Sequence, residues 1–297
     1  MVNTDPSEYI YWEVMFMPNS AYWFLGLSVS SILLLTYTLF HAKSTVRAIF
    51  LFLIMTQIAY MIETIIYIFG SSYTYLPGLL KNNAYYDSNM GALTSNLLVI
   101  PTAAIIIAVF EWRWKAIAAL IVFIGVIEWV FVLLEIYKLN WWRIEYTAGG
   151  LVFYFSVAKL LYSRLLRPVN GMFHSLLLFL CIAPIMGTLH ILPIMLFMNR
   201  SYDPSWFNDP AHDTTACASL YYIVSSCMIV AIMKLQQGHV WLKYCGIAVF
   251  ILVLTLELVQ TEMLTIHKWW DPWFYCLFPA TVYLLLRPIS TRLARGA

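Results

Sequence analysis

The chain has 297 residues, of which 62% are hydrophobic and only 11% charged, with a formal net charge of +2. Soluble domains carry roughly 25% charged residues, so this deficit excludes a soluble globule, and the lack of any basic stripe excludes nucleic acid as a partner. The five cysteines have no CxxC or other metal-ligand spacing and read as small apolar packing residues.

At the start of the chain, Asp5, Glu8 and Glu13 stand where a cleavable secretory signal would be basic. The apolar residues then come in blocks of about 20, the length that crosses a hydrocarbon core. These blocks predict helices near 21–41, 46–69, 89–110, 116–137, 146–163, 172–197, 214–233, 243–265 and 270–286. Backbone groups in lipid must pair within their own segment, and no alternating barrel pattern is present. The expected fold is therefore all-α: a polytopic membrane helix bundle of about nine transmembrane helices.

The charges orient this bundle. Lys43, Arg47, Arg113, Lys115, Lys159, Arg164, Arg167, Lys234, Lys243, Arg287, Arg292 and Arg295 fall on one side, and only Lys81, Lys138, Arg143, Arg200 and Lys268 on the other. The richer side is expected to be cytoplasmic, which puts the N-terminus out and the C-terminus in. The multi-pass chain belongs in a cell membrane, read here as a bacterial plasma membrane, with the lipid bilayer as its first partner. Tyr and Trp residues at the outer rim, among them Tyr73, Tyr75, Trp141, Trp142 and Trp270, fit an interfacial belt.

The same four-helix unit is expected twice. Glu63 precedes Asp87 at almost the same separation as His190 precedes Asp213. Glu128 and Glu257 stand equally far before a tryptophan, Trp141 and Trp270. Leu165–Pro168 and Leu285–Pro288 both read Leu-Leu-Arg-Pro. An even number of helices per unit predicts parallel repeats related by an axis along the membrane normal. The resulting division is 1–45, an N-terminal segment with an unpartnered helix; 46–168, the first repeat; and 169–297, the second repeat with a cytoplasmic tail.

Ionisable groups at bilayer depth are costly and mark candidate sites. Glu63, Asp87 and Glu128 form a ladder in the first repeat, and His190, Asp213 and Glu257 its counterpart in the second. They are the candidate ligand or ion-binding residues, lining a pocket open to the outside between the repeats. The competing reading is that they hydrogen-bond between helices and hold the packing. His190, His212 and His267 lack metal-ligand spacing, so no metal and no cofactor is expected. No GxSxG, HExxH, Walker or GxGxxG motif occurs, which excludes the enzymes that need one. Pro101, Pro184, Pro193 and Pro279 fall inside spans, where each can kink its helix and free a carbonyl.

Ile127-Glu128-Trp129 followed by Tyr137-Lys138-Leu139-Asn140-Trp141, together with Leu97-Leu98-Val99-Ile100-Pro101, resembles a family of small multi-span membrane proteins from clostridia and bacilli. That family pairs a Glu-Trp helix with a Tyr-rich outer loop bearing His and Trp. Its members are about one repeat long, so the resemblance implies a fused tandem duplicate covering 46–165 and, more faintly, 172–288. The chain departs from the pattern at Lys138 and Leu139, where the family tends to have His. The resemblance implies architecture and no activity. Three functions fit the residues: transport or binding of a small ligand or cation; an enzyme acting on a lipid or isoprenoid by acid-initiated chemistry in an aromatic-lined pocket; or a non-catalytic envelope assembly protein.

Overall fold

Nine helices run through the described residues of the computed structural model, which are 19–235 and 239–295. The acidic N-terminal residues Asp5, Glu8 and Glu13 lie outside them. The helices are α1 (Asn19–His41), α2 (Thr45–Phe69), α3 (Ala84–Val109), α4 (Trp114–Leu133), α5 (Ile144–Leu165), α6 (Gly171–Phe197), α7 (Pro210–Lys234), α8 (Val240–Gln260) and α9 (Asp271–Arg295). Seven of them are long and apolar enough to cross a membrane; α5 and α9 are the exceptions. Both carry charge within their length, Glu145, Lys159 and Arg164 in α5 and Asp271, Arg287, Arg292 and Arg295 in α9.

Apolar side chains cover much of the surface. α1, α4 and α8 bury the smallest share of their length, and they expose Leu33, Phe40, Val122, Phe123, Val249 and Val253 outward. Such faces in water would be a liability; against acyl chains they are the expected surface of a bundle solvated by lipid.

In the N-terminal half α2 packs on α3 and α5, α3 on α5, and α4 on α5. In the C-terminal half α6 packs on α7 and α9, α7 on α9, and α8 on α9. The halves meet where α2 lies along α6 and where the C-terminal end of α2 touches α7. α1 packs against α3 and has no counterpart in the C-terminal half.

Four short strands were not foreseen in the all-α reading. β1 (Tyr73–Tyr75) pairs antiparallel with β2 (Tyr137–Leu139), and β3 (Arg200–Tyr202) pairs with β4 (Leu264–Ile266). Strand formation shortens α4 and α8 relative to the expected 116–137 and 243–265. Two positions beyond each helix stands a residue with positive φ, Glu135 at 57° and Glu262 at 58°, which turns the chain into its strand. The two sheets occupy the same end of the bundle, because Phe69, at the end of α2, packs on Trp206 and Phe207 just beyond β3. Equivalent points in the two halves keep one constant separation along the chain: Tyr73 with Arg200, Tyr137 with Leu264, and Glu135 with Glu262.

Candidate functional site

The six candidate residues separate into four environments. Asp87 and Asp213 are buried in the first turns of α3 and α7, where their carboxylates hold the preceding loops. Asp87 accepts from the backbone N–H groups of Gly78, Leu79 and Leu80 at 2.8, 2.6 and 2.7 Å. Asp213 accepts from those of Trp206 and Phe207 at 3.0 and 2.9 Å. A carboxylate near a helix N-terminus also meets the positive end of the helix dipole. Both aspartates therefore work as loop clamps, and neither lines either of the two cavities described below.

Glu63 and Glu128 share a cavity of about 220 Å³ whose lining residues all come from the N-terminal half. It lies within that half. Phe24 and Leu27 of α1 close one side, so the unpartnered helix forms part of the wall. Tyr73, Tyr75 and Tyr137 of the β1–β2 pair line the cavity at the sheet-bearing end, and Tyr154 of α5 lines it deeper in the bundle. The α5 residues of its lining run from Tyr146 to Tyr154, about 12 Å along the helix at 1.5 Å per residue.

Each carboxylate is oriented by a hydroxyl. The Tyr73 hydroxyl donates to Glu63 Oε2 at 2.6 Å. Trp142 Nε1 donates to Thr147 Oγ1 at 2.9 Å, and Thr147 in turn donates to Glu128 Oε1 at 3.1 Å. Glu63 Oε1 is buried and accepts no hydrogen bond. The tyrosines also brace one another: Tyr73 lies 5.3 Å from Tyr137 and Tyr75 lies 4.9 Å from Tyr137, centroid to centroid. Burial raises the Tyr73 and Tyr75 hydroxyls well above the ordinary phenol value, and the nearby Glu63 carboxylate adds to both shifts. They are held as neutral donors.

Two irregular helical segments border this cavity. Thr64–Phe69 follows Glu63 as a π-helix, and Thr94–Val99 of α3 is also π-helical and carries Ser95 and Asn96 into the wall. Pro101 lies two positions beyond the end of the second segment and has no N–H with which to continue the regular ladder. Widened turns of this kind recur at functional sites. Gly91 sets the fit of β1 on α3, because a Cβ there would stand 2.5 Å from Tyr75 Cβ and 2.8 Å from its Cγ. Gly91→Ala is therefore expected to cost about 2 kcal/mol through overpacking. At Gly187 a Cβ would come no nearer than 3.3 Å to the Tyr222 ring, so Gly187→Ala should cost less. Thermal unfolding of the two variants checks the order, and equal losses would mean that β1 does not press on α3.

His190 and Glu257 lie elsewhere. Glu257 is exposed on α8 and borders neither cavity. His190 is buried among the rings of Tyr202, Tyr221 and Tyr275 and shares a 3.1 Å hydrogen bond with the Tyr202 hydroxyl. Beside it stands a cluster the sequence reading missed. Arg200 donates from Nε and Nη2 to the two oxygens of Asp271 at 2.9 and 2.6 Å, and from Nη1 to the Tyr202 hydroxyl at 2.9 Å. Its guanidinium lies 3.3 Å from the Tyr275 ring centroid, and Asn199 also donates to Asp271. Both charged side chains have no exposed surface.

A second cavity, of about 90 Å³, lies between the halves and takes its wall from α2, α3, α6 and α7. Glu63 and Asn96 border both cavities. Among the described residues no three His, Cys, Asp or Glu side chains gather as a metal site. No family model, no curated protein and no solved structure matches the chain.

Proposed function

We propose that the chain binds a small organic cation in the larger cavity and serves its transport or capture at a membrane. The observation that carries this reading is the charge balance of the wall: two carboxylates, Glu63 and Glu128, face a ring of tyrosines, and no Lys, Arg or His lines the space. Aromatic faces attract cations, and more strongly once water is excluded. Two desolvated carboxylates without a basic partner are costly unless a cation or protons compensate them. A volume of about 220 Å³ holds roughly seven waters at about 30 Å³ each, which suits a ligand of about seven to ten heavy atoms.

In this reading all nine helices cross the bilayer and the sheet-bearing end faces outward. Arg200 is neutralised by Asp271 at that end and Lys43 by Glu111 at the other, so basic residues remain in excess at the end opposite the sheets. The two halves are tandem repeats, supported by the constant spacing of strands and turns and by the matching aspartate clamps. On this repeat the counterpart of Tyr73 is Arg200, whose guanidinium is paired with Asp271 and lies over the Tyr275 ring. The first repeat thus keeps the ligand site and the second has become a structural partner.

Isothermal titration of the purified protein in lipid nanodiscs with choline and with agmatine tests the proposal. Saturable binding is expected for at least one of them, weakened at least tenfold by Glu63→Gln and by Glu128→Gln. Glu257→Gln should leave it unchanged. Binding that is indifferent to both cavity substitutions, or absent for both probes, overturns the reading.

A further inference from the structure

We propose that the smaller cavity, between the two halves, is a binding site for one sodium ion, which shares Glu63 with the larger cavity. Several hydroxyls in the wall of this cavity have already spent their protons. The Thr64 hydroxyl spends its proton on Tyr60 O at 2.8 Å, Ser219 on Thr215 O at 2.9 Å, and Tyr67 on Ser88 Oγ at 2.8 Å. A hydroxyl has one proton and two lone pairs, so what these groups have left to offer is lone pairs. Asn96 gives one amide proton to Ala92 O at 3.0 Å and also interacts with the Glu63 carboxylate, while its carbonyl oxygen can accept.

Glu63 supplies the charge. It is 8% exposed, and Oε1 is buried without a hydrogen-bond partner. The Tyr73 hydroxyl holds Oε2, and Tyr73 borders only the larger cavity. That arrangement leaves Oε1 for the smaller one. One carboxylate surrounded by neutral oxygens balances a single positive charge, and oxygen donors suit a hard cation. The lining holds no second carboxylate for a divalent ion and no nitrogen or sulfur ligand set for a transition metal. A space of about 90 Å³ equals roughly three waters, which admits a partly hydrated sodium ion and excludes a ligand of the size the larger cavity takes.

One carboxylate cannot neutralise two cations at full strength. Sodium is therefore expected to compete with the organic cation through Glu63, although the cavities are distinct. This competition rests on the organic-cation reading; the sodium site itself does not.

The test is equilibrium binding of ²²Na⁺ to the purified protein in nanodiscs. Saturable binding near one ion per chain is expected. It should be lost in Glu63→Gln and weakened at least tenfold in the Thr64→Val, Ser219→Ala double variant, which leaves the larger cavity untouched. Glu128→Gln should bind sodium as the native chain does. Sodium should weaken choline or agmatine binding about tenfold in the native chain and not in the double variant. No saturable ²²Na⁺ binding, or binding unchanged in both the Glu63 variant and the double variant, overturns the site. Sodium binding that behaves as expected while choline and agmatine fail to bind leaves the sodium site standing and removes the organic-cation reading.

Discussion

Asp271→Asn is expected to destabilise the protein by about 3–5 kcal/mol, the cost of stranding one partner of a buried ion pair. The side chains of Arg200 and Asp271 are fully enclosed, and the carboxylate is the charge that compensates the guanidinium there. Asparagine would keep one acceptor and lose the charge, leaving the cation above the Tyr275 ring without its counter-ion. Arg200→Met should cost a similar amount, because Asp271 would retain only the Asn199 amide. Arg200→Lys is also expected to be poorly tolerated, since an ammonium cannot reproduce the planar fork to two carboxylate oxygens or the stacking on the ring. The pair removed together, Arg200→Met with Asp271→Leu, should cost less than either single change, because no unpaired charge remains. Thermal unfolding of the detergent-purified variants, read as a double-mutant cycle, checks this. Additive losses would show that the two charges do not depend on each other and that the cluster is open to solvent.

The helices were legible in the sequence because an apolar block long enough to span the hydrocarbon core has few alternatives. All nine expected segments coincide with observed helices; most ends shift by five residues or fewer, while α9 runs nine residues past the expected 286 to Arg295. The strands were not legible. Segments as short as Tyr-Thr-Tyr or Arg-Ser-Tyr cannot display an alternating pattern, and they exist because each half brings two loops side by side at one end. The aspartates stood out correctly as buried acids, yet their role depends on loop amides six to nine positions upstream, and no side-chain motif records it. Arg200 and Asp271 are 71 residues apart, and the sequence marks them only as two charges near helix ends.

Glu257 does not share the surroundings of Glu128. Glu128 and Glu257 were matched because each precedes a tryptophan by the same interval. The strands and the positive-φ turns keep a slightly shorter spacing between the halves, and on the proposed repeat that spacing would set Thr255 opposite Glu128. Moving two positions along an α-helix turns a side chain by about 200°. Thr255 is accordingly buried and donates to Ile251 O, whereas Glu257 points out of the bundle.

Asp87→Ala is expected to cost on the order of 3 kcal/mol, more than Asp213→Ala at about 2 kcal/mol, because hydrogen bonds to a charged acceptor are worth about 1.5–3 kcal/mol each and water recovers part of the loss at a half-buried loop. The ranking follows the number of backbone donors released, three against two. Asp87→Asn should fall between Asp87→Ala and the native chain, since one carboxamide oxygen can still accept while the charge that meets the helix N-terminus is gone. The side-chain caps Asn83 and Asp209, which accept from Tyr86 N and Ala211 N, are untouched by these changes, so both helices should still start where they do now. Unfolding temperatures give the ranking, and titration of choline or agmatine into the same variants separates clamp from ligand. A clamp loses stability and keeps its affinity in the fraction that folds. A ligand residue would do the reverse, and a stable Asp87→Ala protein that no longer binds would move Asp87 from the loop into the site.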